Sequence, residues 1–215
     1  MCSRFQRGSG TKALVHAFAS ELPAAEIEPL AVNENETIQA APGSVQPVVV
    51  SDRDGRRKLL PMRWGFRLPD RFLFNTRSEG AETSRFWKDA FQQRRCLVPA
   101  DAYFEWSQSA DGRTKYLLQV EDEQLFGMAG LWSSWVNPQS GKLEATFSIL
   151  TCEAAANIRH IHERQPVILT PEEYAAYLTP EMLEPMRLLR QRPRPRLVAR
   201  EAELPRQYSL FDAKS

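Results

Sequence analysis

The sequence predicts an α+β fold in a single domain: a curled, mostly antiparallel β-sheet approaching a barrel, flanked by helices. Three observations predict it. Short apolar segments are joined by hairpin signals at Asp54-Gly55, Asp111-Gly112 and Asn137-Pro138-Gln139-Ser140-Gly141. Helical stretches flank this run of hairpins, so one antiparallel sheet dominates. At 215 residues with 42% hydrophobic, the chain holds enough apolar surface for one core.

Residues 11–22 read as a helix, with Leu14, Phe18 and Leu22 four apart, Val15 beside them and Thr11 placed to cap. Pro23, Pro29 and the acidic stretch at Glu34 and Glu36 make a loop. The Ala40-Ala41-Pro42-Gly43 turn leads into a strand, Val45 to Ser51, in which Pro47 implies an edge position or a later start at Val48. Lys58 to Trp64 is the return strand. Phe72 to Phe74 runs into the polar cluster Asn75-Thr76-Arg77-Ser78-Glu79, followed by a helix, Thr83 to Arg94, that buries Phe86, Ala90 and Phe91. Strands follow at Cys96–Ala100, Tyr103–Ser107, Tyr116–Val120, Leu125–Trp132 and Ala145–Cys152. A helical segment spans Ala154 to Ile161, and Val167 to Leu169 is a buried strand. Thr170-Pro171-Glu172-Glu173 is a capping box opening a helix through Leu178, and Thr179-Pro180-Glu181 repeats the start signal. From Arg187 to Arg200 there are six arginines and no acid, with Pro193 and Pro195 between them. This stretch is either a solvated linker or a local site for phosphates. The domain is placed at residues 2–200, with 201–215 as a tail.

Net charge is +1, so nucleic-acid contact must come from local arginines rather than an overall field. Three cysteines, Cys2, Cys96 and Cys152, are widely spaced without CxxC pairing, which argues for a reducing compartment and against a disulfide framework or zinc site. No run approaches a membrane span and no signal segment is visible, so the expectation is a cytoplasmic monomer with no membrane contact, metal or cofactor.

The chemistry concentrates at the N-terminus. Removal of Met1 exposes Cys2 with a thiol and a free α-amine on adjacent carbons. The reference pKa of such an amine is about 7.7–8.0, so near neutral pH much of it is nucleophilic. It can form a Schiff base with an aldehyde, and the thiol can close on the same carbon to give a thiazolidine. The alternative is a cysteine incidental to a frayed end. In an extended Tyr103-Phe104-Glu105-Trp106-Ser107, Phe104 and Trp106 share one face, while Glu105 points to the other beside Tyr103 and Ser107. Partial burial would raise the Glu105 pKa and make it a proton shuttle; otherwise it is a surface glutamate. Asn75 can donate and accept, and Arg77 can fork onto a phosphate; the alternative is a loop cap on the following helix. Trp64-Gly65-Phe66 reads as core, or as a place where a base stacks against an aromatic. His160 and His162, two apart, would diverge by about 200° on a helix, so they would not share a metal.

Taken together, Met1-Cys2-x-Arg4-Phe5, Ala41-Pro42-Gly43, Trp64-Gly65-Phe66, Asn75-x-Arg77-x-Glu79, Phe104-Glu105-Trp106 and His162-x-Arg164-x-Pro166 span nearly the whole domain. Each is weak alone; six in this order are highly specific. The chain resembles the SOS-response-associated peptidase family, proteins that crosslink to abasic sites in DNA. The resemblance implies that Cys2 is the nucleophile, with Asn75, Glu105 and His162 around it. It also implies that Arg4 and Arg77 contact phosphates of single-stranded DNA, with Pro42 and Trp64 near the bases. Ser3 replaces a glycine of the family pattern, and the loop Arg67 to Arg71 lacks the tryptophans some members carry, leaving Leu68 or Phe72 to stack. An abasic deoxyribose opens to an aldehyde, the electrophile an N-terminal aminothiol traps. Two other functions fit the same residues: a non-covalent single-stranded-DNA-binding module, and an N-terminal-nucleophile cysteine peptidase.

The tail carries Gln207-Tyr208-Ser209-Leu210-Phe211, which resembles the short sliding-clamp-binding motif of bacterial replication and repair proteins. In that mode the Gln207 amide anchors while Leu210 and Phe211 fill an apolar pocket. The alternative is that the pair folds back onto the domain.

Overall fold

The computed structural model describes residues 2–18, 20–21, 37–109, 112–137, 139–180, 185–190 and 195–202. In chain order the strands are β1 (Arg4–Arg7), β2 (Ser20–Glu21), β3 (Ile38–Ala40), β4 (Val45–Ser51), β5 (Arg57–Trp64), β6 (Phe66–Arg67), β7 (Phe72–Leu73) and β8 (Asn75–Arg77). They continue with β9 (Arg95–Ala100), β10 (Ala102–Ser109), β11 (Gly112–Val120), β12 (Phe126–Val136), β13 (Leu143–Glu153), β14 (Arg164–Pro166), β15 (Ile168–Leu169) and β16 (Leu197–Glu201). The helices are α1 (Thr11–Phe18), α2 (Ser78–Ala81), α3 (Lys88–Gln93), α4 (Pro171–Leu178) and α5 (Pro185–Arg190).

Apolar residues occupy both faces of the central strands, and the period of two sorts them into two cores. Val48, Val50, Cys96 and Val98 enter one; Val49 and Leu97 enter the other. The strands β13, β12, β9, β4 and β5 are neighbours in that order, and β5 returns to β13 through a parallel pairing of Trp64 with Phe147. The curled sheet predicted from the sequence therefore closes on itself. A second sheet, in the order β16-β11-β10-β1-β3, shares the first core through Phe5, Tyr103 and Leu118. Helices α1, α3, α4 and α5 cover the second core with Leu14, Phe18, Phe91, Tyr177 and Met186.

Several expectations change. Pro47 does not mark an edge: β4 lies between β9 and β5, and Pro47 sits opposite Pro61, so neither residue of that pair has an N–H to satisfy. The first helix ends at Phe18, and Ser20–Glu21 adds instead to β5 as a short parallel strand. The helix expected over Thr83–Arg94 is only α3. Before it the Ser84 hydroxyl accepts the N–H groups of Phe86 and Trp87, both at 3.3 Å, and this local turn displaces the first helical turn. Phe86 consequently stays 39% exposed, while Ala90 and Phe91 are buried. Ala154 to Ile161 forms consecutive turns rather than a helix, with Ile161 N–H reaching Ile158 at 2.9 Å. The basic stretch ends in β16, which pairs with β11 and buries Leu197, so this part is sheet and not linker. The helix of Pro171–Leu178 starts as predicted, with Thr170 N–H donating to the Glu173 carboxylate at 2.8 Å.

Candidate active site

Cys2 is not frayed. It is 1% exposed and packs in the first core with Phe5, Trp64 and Tyr103. Strand β1, which carries it in, is sandwiched between β10 and β3 and pinned at its far end, where the Gly8 and Ser9 N–H groups donate to the Asp101 carboxylate. Asn75, opening β8, donates from Nδ2 to the Cys2 carbonyl at 2.7 Å. The Cys2 thiol donates weakly to the Arg4 carbonyl at 3.5 Å. Burial first, and the neighbouring Glu105 second, push that thiol far above its ordinary range, so it rests as a neutral S–H.

Glu105 lies on the inward face of β10, opposite Tyr116 of β11, and is 3% exposed. Burial raises its pKa, and the His162 imidazole works against that rise. A carboxyl so placed exchanges a proton nearer to neutral pH than a surface glutamate does. His162 follows the turns before β14. Its Nδ1 accepts the Arg164 N–H at 2.9 Å, which leaves Nε2 to carry the ring proton of the neutral form. Glu105 and His162 line an open pocket of about 400 Å³ with Ser3, Trp106 and Arg113.

Two other motif residues hold this arrangement together. Arg164 forks onto Glu79 at 2.7 and 2.8 Å and donates to the Thr151 carbonyl at 2.7 Å. That bidentate pair ties α2, next to Asn75, to the strand that follows His162. Arg164 in turn holds the Glu79 carboxylate below its usual range.

Arg4 and Arg77 are both exposed, as phosphate contacts require. Pro42 is half-buried in the turn that the Gly43 N–H fastens to the Trp64 carbonyl at 2.7 Å. The expectation that Trp64 itself meets DNA is corrected. Its ring is 0% exposed, stacks on Phe147 and donates from Nε1 to the Phe74 carbonyl at 2.8 Å. Trp64 therefore supports the strand entering Asn75 from beneath. Gln207, Leu210 and Phe211 lie outside the described residues. No helix among the described residues is long and apolar enough to cross a membrane. Nor do three or more His, Cys, Asp or Glu side chains among them gather as a metal site.

Sequence reasoning missed two cations. Arg113 lies over Trp106 with 4.9 Å to the ring centroid, and Lys115 Nζ lies 4.1 Å from that of Phe104. Both sit on β11, and the β10–β11 register places Lys115 opposite Trp106. Counting back from the Asp111-Gly112 turn would have found them. Arg4, opposite Phe104, joins the same face of the sheet, on which Arg4 and Arg113 are exposed and Lys115 is buried.

Fold and site together define a class: a single β-rich domain whose first strand delivers a buried cysteine to an amide, a carboxylate and an imidazole from three distant segments. The chain belongs to the SOS response associated peptidase (SRAP) family, whose sequence model matches residues 1–203. It is 28% identical over 196 residues to abasic site processing protein YobE of Bacillus subtilis, covering 86% of this chain and 85% of that protein. It is 31% identical over 148 residues to abasic site processing protein YedK of Escherichia coli, covering 66% and 64%. A crystal structure of a protein from Bacteroides thetaiotaomicron superposes with a TM-score of 0.78 at 21% identity over 94% of this chain and 92% of that one, a likeness of fold.

Proposed function

We propose that this protein processes abasic sites in single-stranded DNA by forming a covalent thiazolidine through Cys2. The observation that carries the reading is the meeting of Cys2, Asn75, Glu105 and His162, from four separate segments, with Glu105 and His162 lining a solvent-open pocket. Once Met1 is removed, the Cys2 amine attacks the aldehyde of the opened sugar and water leaves, giving an imine. The neutral thiol then adds to the imine carbon and closes the ring. Asn75 holds the Cys2 backbone in place and the opened sugar by hydrogen bonds, Glu105 carries protons to and from the amine, and His162 Nε2–H donates to the sugar oxygen. An imine that persists also permits β-elimination, so AP-lyase activity accompanies crosslinking. The peptidase of the family name is read as self-processing that exposes Cys2. Arg4 and Arg77 neutralise phosphates, and the protein acts as a cytoplasmic monomer that a sliding clamp delivers through its tail.

The test is a denaturing gel of protein mixed with abasic single-stranded DNA. Wild type gives a band that survives denaturation without a reducing agent. Cys2→Ala loses the band but keeps DNA affinity, because the phosphate contacts lie elsewhere. A confirmed uncleaved N-terminal extension also loses it although Cys2 is intact. DNA binding with no such band in wild type supports the non-covalent module, and cleavage of an unrelated peptide supports the peptidase.

A further inference from the structure

Tyr103 is a buried phenol close to Cys2 and Glu105. It stands on β10 two residues before Glu105 and faces the same way, opposite Phe5 of β1. Its side chain is 0% exposed and shares the first core with Cys2. Its hydroxyl is also buried, and it has no hydrogen-bond partner among the described residues. Burial first, and then its acidic neighbours Cys2, Glu105 and Cys152 of β13, hold the phenol in its protonated form. A phenol whose hydroxyl makes no bond packs no better than phenylalanine and leaves a polar group desolvated. Buried tyrosines ordinarily find a partner, so an orphaned hydroxyl beside a nucleophile points to a partner that forms during the reaction.

We propose that the Tyr103 hydroxyl donates a hydrogen bond to the Cys2 sulfur as negative charge develops on it, which makes Tyr103 a residue of the reaction. This rests on the thiazolidine reading above. In the closing step the sulfur pair forms the S–C bond while the C=N pair returns to nitrogen, which takes up a proton. The S–H proton passes to Glu105. No electrons enter or leave, and Tyr103 keeps its own proton throughout. A hydrogen bond to an anion is roughly twice as strong as one to a neutral acceptor, so the donor acts on the closing step more than on the resting thiol. A neutral donor also suits this place, because Glu105 disfavours a thiolate and the thiol's bond to the Arg4 carbonyl is lost with its proton.

Glu105 of β10 neighbours both the Cys2 sulfur and Tyr103, Cys152 of β13 neighbours Tyr103, and His162 neighbours Glu105. The test is therefore Tyr103→Phe, which keeps the ring and removes only the hydroxyl, with three measurements on the full chain. Thermal melting is expected to be unchanged or higher. Single-turnover crosslinking to abasic single-stranded DNA is expected to fall about tenfold or more. Alkylation of Cys2 by iodoacetamide, read as the rate at each pH below the thiol's raised range and separated from Cys96 and Cys152 by peptide mapping, is expected to slow about tenfold, a profile displaced by about one unit to higher pH. A lower melting temperature, or wild-type crosslinking with a wild-type alkylation profile, overturns the inference and makes Tyr103 a core residue. If wild type itself fails to crosslink while the alkylation profile still shifts, the covalent reading fails and the tyrosine–sulfur contact stands. With neither crosslink nor shift, both fall.

Discussion

Glu105→Gln separates the proton from the shape of the side chain. The amide fills the same volume at a position that is 3% exposed, so packing changes little. The titration changes completely. Burial raises the folded-state pKa of Glu105 above its unfolded value, so the folded protein binds the proton more tightly than the unfolded chain does. The stability that Glu105 contributes is then fully present below the ordinary carboxylate pKa of about 4.3, and it is lost as pH rises from there to the raised value. Each unit of that window costs about 1.4 kcal/mol, a loss glutamine does not incur. The variant should therefore gain on wild type across the window and hold its advantage above it. Activity should move the opposite way: loss of a general acid–base group lowers the rate of adduct formation and strand cleavage by about 10²–10⁴-fold, and the pH dependence due to that carboxylate disappears. Urea unfolding at a series of pH values reads the first effect. Single-turnover crosslinking below saturation, over the same range, reads the second. A rate within about twofold of wild type, or a variant less stable than wild type at neutral pH, refutes the reasoning.

Gly65→Ala is expected to destabilise by about 1–2 kcal/mol, because φ is +105° there and a Cβ strains the backbone. That Cβ also meets Phe72 Cζ at 2.5 Å, but a ring tip on a half-buried side chain can swing away. Denaturant midpoints for Gly65→Ala with and without Phe72→Ala decide between the two effects; recovery of most of the loss by Phe72→Ala shows that the backbone is not the cause. For the tail, a peptide of residues 201–215 should bind a bacterial sliding clamp at about micromolar strength by calorimetry, and Leu210→Ala with Phe211→Ala should abolish binding while crosslinking of naked abasic DNA is kept. No heat of binding from either the peptide or the whole protein rejects the clamp.

Local chemistry was legible in the sequence. Asp54-Gly55 predicts a hairpin, and Gly55 takes the left-handed φ of +78° that such a turn uses. Val45 to Ser51 reads as a strand and is one, and the alternation around Phe104 and Trp106 correctly turns Glu105 and Tyr103 to the same face. Turn type and side-chain alternation depend on neighbours a few residues away, so the order of residue types settles them. What only the tertiary structure decided depends on partners far along the chain. The same aromatic pattern that allows Trp64 to stack on a base also allows it to fill a core; the parallel pairing with Phe147, which closes the barrel, buries it. Whether Cys2 frays or is held depends on Asn75, seventy-three positions away, donating to its carbonyl. Whether Glu105 keeps an ordinary pKa depends on how many distant strands exclude water from it, and that exclusion belongs to the closed sheets rather than to any stretch of sequence.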